Sequence, residues 1–127
     1  MKTSINKLPE ATEHMIQTQL IHWLKYHGYY VQRLNSGKYS VGEGRNKRFI
    51  MGQDAGTPDI MAFKSVDDEC GDTCPHIAQT RLYFIEVKRS MKHKATALQI
   101  AKMSELIDYG ADCFIASSIE DLEVHGL

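Results

Sequence analysis

Apolar residues at Ile16, Leu20, Trp23 and Leu24 recur at the three-to-four spacing that lines one face of a helix. The pattern predicts a helix from about Pro9 to His27. Pro9 suits a first turn, Glu10 and Glu13 complement its positive end, and Gly28 is a natural stop. Glu13 falls on the apolar stripe one turn before Ile16, with Gln17 beside it one turn further on. Tyr29–Leu34 is rich in aromatic and β-branched residues and is followed by Asn35-Ser36-Gly37, so it predicts a strand and a turn.

Residues 37–58 hold five glycines and many polar positions, with one short strand-like piece at Arg48–Met51. A segment of that length and composition inside a compact domain marks a functional loop or a mobile one. Further strands are predicted at Asp59–Phe63, Leu82–Lys88 and Asp112–Ala116, and a second helix from about Ala95 to Tyr109, closed by Gly110. Residues 65–80 read as an acidic, cysteine-bearing loop, and Ser117–Leu127 as a tail with a short helical turn. The order helix, strand, strand, strand, helix, strand predicts an α/β layer fold with a mixed central sheet flanked by helices. A chain of 127 residues without an internal repeat or long linker suits a single domain, 1–127, with its core at about 10–118.

Composition adds little to this. Hydrophobic residues at 43% and charged ones at 24% are ordinary for globular chains and argue against a disordered or fibrous one. No apolar run is long enough for a membrane helix and the first residues lack a signal-peptide core, so an intracellular, cytoplasmic protein is expected. Three cysteines suit a reducing compartment. Cys70, Cys74 and His76 lack the paired spacing of a zinc site, and a surface loop with reduced cysteines is the better reading. The net charge of −1 is uninformative, but basic residues cluster at Lys38, Arg45, Lys47 and Arg48, and again at Lys88, Arg89, Lys92, His93 and Lys94.

Chemistry concentrates at strand ends. Side-chain alternation sets Tyr83, Ile85 and Val87 on one face and Leu82, Phe84, Glu86 and Lys88 on the other. Two charges ending an apolar strand are costly unless they are paired, bound to metal or at an open edge. Asp59 opens another strand directly after Pro58. If those strands are neighbours, Asp59 and Glu86 present two carboxylates to one hard divalent cation, which needs few protein ligands. The cation would polarise a scissile phosphate and acidify water, while Lys88 would orient that water and neutralise charge at phosphorus. Glu13 either reaches the cation's water shell or is a solvated first-turn charge. Gln99, on the stripe of Met103 and Leu106, either binds a phosphate or Lys88, or hydrogen-bonds a strand end.

Gly56-Thr57-Pro58-Asp59, then Glu86-Val87-Lys88, then Gln99 in a following helix resemble the PD-(D/E)XK nuclease superfamily. The closer resemblance is to its virus-type replication-repair nuclease (VRR-NUC) family. Glu13-His14-Met15-Ile16-Gln17, Leu24, Gly28 and Asn35-Ser36-Gly37 are similar to that family's opening, and Gly110-Ala111-Asp112 followed by a strand and Ser117-Ser118 to its end. The likeness spans about residues 10–118. It implies a restriction-endonuclease-like core, Mg²⁺ or Mn²⁺, and hydrolysis of DNA phosphodiester bonds in repair. It makes Asp59, Glu86 and the Val87 backbone carbonyl metal ligands, Lys88 the catalytic lysine, and Glu13 and Gln99 supporting residues, Glu13 through water.

Gln17, Lys38, Lys47, Arg48, Arg89, Lys92 and Lys94 are the expected DNA contacts. Small size and family likeness together suggest a homodimer acting on branched DNA such as a four-way (Holliday) junction, in a bacterial or phage-infected cell. The 65–80 loop is longer than the family's tight connection, and the basic segment 38–53 matches none of its motifs. Competing readings are a non-cleaving nucleic-acid-binding module of the same fold, an RNA-directed nuclease, and a structural partner whose basic loops bind an acidic protein.

Overall fold

In a computed structural model, residues 11–34, 38–67 and 78–127 are described. The first helix, α1 (Glu13–Tyr26), begins where Thr12, in extended backbone, turns its hydroxyl back to accept from Met15 N–H at 3.2 Å. That cap sets the start at Glu13, a turn later than the sequence expectation; Pro9 and Glu10 lie outside the described residues. Gly28, at φ +87°, ends the helix as expected. Ile16, Leu20 and Leu24 are buried, joined by Ile21, while Trp23 is half-buried.

Strand β1 (Tyr30–Arg33) follows, then a hairpin of β2 (Lys38–Val41) and β3 (Arg48–Met51). β3 has the expected bounds; β2 was missed because its polar–apolar alternation lies inside a glycine-rich basic stretch. The hairpin is a separate two-stranded antiparallel sheet. β4 (Ile60–Asp67) and β5 (Ala78–Val87) are longer than expected and take up both ends of the expected 65–80 loop. Residues 68–77, with Cys70, Cys74 and His76, lie outside the described residues. Helix α2 (Ala97–Asp108) starts two residues late because Thr96 caps it; β6 (Asp112–Ala116) matches, and the tail forms a short helix, α3 (Ile119–Val124).

The main sheet has the order β1-β4-β5-β6, with β1, β4 and β5 antiparallel and β6 parallel to β5 through the α2 crossover. It is a four-stranded mixed sheet with helices on its faces. Ile60, Ala62, Tyr83, Ile85, Val87, Phe114 and Ala116 pack with α1 and with Leu122 of α3 in one core. No helix among the described residues is long and apolar enough to cross a membrane.

Two constraints fix the end of this sheet where the charged residues gather. Ile60 pairs with Ile85, so continuing the register sets Asp59 opposite Glu86. The turn before Asp59, closed by Thr57 N–H on Asp54 C=O at 3.1 Å, carries Gly56 at φ +86°. A Cβ on Gly56 would lie 2.8 Å from the Leu98 carbonyl oxygen in the first turn of α2. Gly56→Ala therefore combines backbone strain with overpacking against α2. It should lower stability by about 1–3 kcal/mol in urea titration, and a wild-type midpoint would show that the turn and α2 do not meet this closely.

Candidate active site

Asp59, Glu86, Lys88 and Gln99 converge at one end of the sheet. Asp59 is held by its own neighbour strand: Val87 N–H donates to Asp59 Oδ2 at 2.7 Å. Lys88 N–H continues the ladder to Ala116 C=O at 3.1 Å, which anchors the residue immediately past β5. Its ammonium lies 3.4 Å from Glu86 Oε1 and donates to Gln99 Oε1 at 3.0 Å.

Gln99 is the joint of the cluster. It occupies the third position of α2 in a capping box, where the Thr96 hydroxyl accepts from Gln99 N–H at 3.2 Å and Thr96 N–H donates to Gln99 Oε1 at 2.9 Å. With its oxygen taken by two donors, its Nε2 is left to donate to Glu86 Oε1 at 2.8 Å. The amide's orientation follows from these partners, since the opposite flip would set like groups against each other. The helix start therefore doubles as the clamp on Glu86 and Lys88. Thr96 was not singled out from sequence, although Thr-x-x-Gln ahead of an apolar helix is a legible capping signal.

Glu86 is 3% exposed and Lys88 9%, the buried charged residues among those described. Burial, and then the neighbouring Asp59 charge, push the Glu86 carboxyl up to about 7 against the pull of Lys88. Burial also raises Asp59, and the charge of Glu13 adds to this, while the Val87 hydrogen bond and Lys88 oppose it. Glu13 is exposed in the first turn of α1 and reaches the site through its field.

Glu86 Oε2 is buried and accepts no hydrogen bond from any described residue. An unmatched carboxylate oxygen beside a second carboxylate suits a cation ligand. No group of three or more His, Cys, Asp and Glu converges among the described residues. A cation here would thus rest on Asp59 and Glu86, with water and substrate oxygens completing its shell, as Mg²⁺ prefers.

The expected DNA contacts are spread around this end. Arg89, Lys92 and Lys94 lie on the loop joining Lys88 to α2, with Lys92 and Lys94 exposed there. The Leu34 N–H bond to Asp59 C=O, at 2.8 Å, ties together the points where the β2–β3 segment leaves and re-enters the sheet. On that hairpin Arg48 is exposed, Lys47 is exposed with its ammonium 5.9 Å from the Phe49 ring centre, and Lys38 lies in β2. Gln17 is half-buried on α1. Cys113, in β6, is pushed up to about 11 by burial and by Asp112, which makes it a poor nucleophile.

Compared with known proteins, the chain matches no family model, no curated sequence and no solved structure.

The Glu86 carboxyl has a direct consequence for stability. Its value rises on folding from 4.5 to about 7, so between those limits the native protein binds more protons than the unfolded chain. Stability in EDTA should fall as pH climbs from about 4.5 through about 7, and Glu86→Gln should flatten that fall. Thermal melts of both proteins from about pH 5 to about pH 8 would measure it. Parallel profiles for the two would refute the shift.

Proposed function

We propose that this chain is a divalent-cation-dependent nuclease of the VRR-NUC type, with a restriction-endonuclease-like core, that hydrolyses DNA phosphodiester bonds. One observation carries the reading. Two carboxylates on adjacent antiparallel strands meet at a sheet end, one with a buried oxygen that accepts nothing from the described residues, beside a lysine fixed by a glutamine. An ordinary ion pair at a strand end would need neither the second carboxylate nor the buried clamp.

A cation held by Asp59 and Glu86 would supply the Lewis acidity that polarises a phosphoryl oxygen and acidifies water. The chain's own residues do the rest. Val87 N–H keeps Asp59 turned toward Glu86. Gln99 holds Glu86 Oε1, which leaves Oε2 as the oxygen that would hold a cation. Lys88 directs donors to Glu86 and Gln99, and its remaining N–H can meet the phosphate oxygen that gains charge as the water oxygen bonds to phosphorus and the ester bond breaks, the proton lost by the water being balanced by the one the departing ester oxygen takes up. Arg89, Lys92 and Lys94, on the loop between Lys88 and α2, lie where flanking phosphates would pass.

Activity should appear with Mg²⁺ or Mn²⁺ and vanish in EDTA on a panel of linear, flapped and four-way-junction DNA, with RNA alongside. Asp59→Ala and Lys88→Ala should each slow cutting by at least about 100-fold while retaining binding. Gln99→Ala, acting through its neighbours, should cost roughly 10- to 100-fold. EDTA-resistant cutting, or full activity in Asp59→Ala, would overturn the mechanism.

A domain of this size offers little surface to a duplex, so the reading extends to a homodimer whose two sites address two strands of branched DNA. Light scattering on the eluting protein should give twice the chain mass. A monomer that cuts junctions as fast as any other species would remove that extension.

A further inference from the structure

From His14 through Gly42 the chain contains no Asp or Glu, although 16 acidic residues are distributed over the rest. α1 and β1 hold its part from His14 to Arg33 along one edge of the main sheet. Among the described residues β1 is an edge strand, with no partner beyond it. Between it and α1 lies an open groove of about 490 Å³, whose polar lining is Thr18, His22, Lys25, Gln32 and Arg33. Among the described residues no carboxylate lines it.

Arg33 is half-buried and pairs with no acid among the described residues. Its Nη2 donates to Thr18 Oγ1 at 3.2 Å, and its buried Nε has no hydrogen-bond partner among them. The guanidinium therefore keeps donors unused by the described residues at the rim of the groove. Thr18, which in turn donates to His14 C=O at 3.0 Å, holds it in place.

The groove also has a direction. Arg33 pairs with Ile60, one residue from Asp59, so it sits at the active-site end of β1. From Thr18 to Lys25, α1 rises roughly 10 Å away from that end. Past Lys25, which together with His22 also borders the adjoining face of α1, that face carries Tyr26, 88% exposed, and the half-buried Trp23, which stacks on His27 at 3.8 Å between ring centres. Cationic side chains followed by an exposed aromatic ring are what a nucleic-acid single strand needs, since phosphates take the charge and any base can stack on the ring. A duplex, with its bases already stacked, has no use for Tyr26.

We infer that the α1–β1 groove binds a single-stranded nucleic-acid arm leaving the active site, its phosphates on Arg33 and Lys25 and a base on Tyr26. This rests on the nuclease reading for the strand's origin but is tested by binding alone. The probe is a fluorescein-labelled single-stranded dT 12-mer, followed by anisotropy in EDTA over a range of KCl, with a blunt duplex of equal length alongside. Lys25→Glu, at an exposed position, should weaken 12-mer binding about tenfold and reduce the salt slope by about 0.7 for each phosphate the variant no longer neutralises. Tyr26→Ala should weaken the single strand about tenfold and leave the duplex unchanged.

Wild-type affinity and slope in Lys25→Glu, or equal losses for both probes in Tyr26→Ala, would overturn the inference. So would displacement of the 12-mer by poly-glutamate at equal charge concentration, since the groove would then be an acidic-protein site. Failure of the nuclease reading shows differently, as strand binding without cutting when Mg²⁺ or Mn²⁺ is restored.

Discussion

The site depends on the register between β4 and β5. Ile60 faces Ile85 in the core, and both are fully buried, so the pairing is fixed by the need to keep both isoleucines on the α1 face. The next pair outward then has no freedom: Asp59 and Glu86 point to the opposite face, toward α2. A slip of one residue would turn the isoleucines to that face and bring the carboxylates into the core. The apolar pattern that specifies the sheet thus also specifies where two like charges meet.

That meeting is unfavourable on its own, and the surrounding structure shows how it is tolerated. A backbone N–H takes one oxygen of Asp59, a glutamine amide and a lysine take one oxygen of Glu86, and the other Glu86 oxygen is left buried without a partner among the described residues. The cost appears as a carboxyl pushed up to about 7. Proton binding relieves it at low pH; a divalent cation would relieve it at higher pH. Stability is given up at the position where chemistry would use it, as is common where strain or charge crowding serves a site.

α2 links this site to the fold. Its capping box satisfies N–H groups at the helix start and fixes the Gln99 side chain in place, so local helix physics and the geometry of the charged cluster rest on the same residue. The neighbouring Gly56 turn approaches the first turn of α2 so closely that there is no room for a Cβ. On the far side of the sheet α1 and β1 border a groove lined by Lys25 and Arg33 and, among the described residues, by no carboxylate.

Much of this was legible in the chain. Helix periodicity gave the buried face of α1, alternation gave the facing of Glu86 and Lys88, and Pro58 marked Asp59 as a strand opening. These signals are local, and the backbone geometry that reads them is the same in every protein. Three features were not legible. The partner of β3 was hidden because Lys38–Val41 is short and half polar, and pairing rather than propensity defines it. The groove at Arg33 required knowing that α1 lies along β1, which no periodicity encodes. A contact of Gln99 with Lys88 was among the alternatives read from the chain, but its joint contact with Glu86 depended on the crossover returning α2 over the end of β5. Residue order alone set which residues carry charge, and at which strand ends. Tertiary structure decided which of them touch, because register and helix docking are set by burial of apolar surface far along the chain from the groups they bring together.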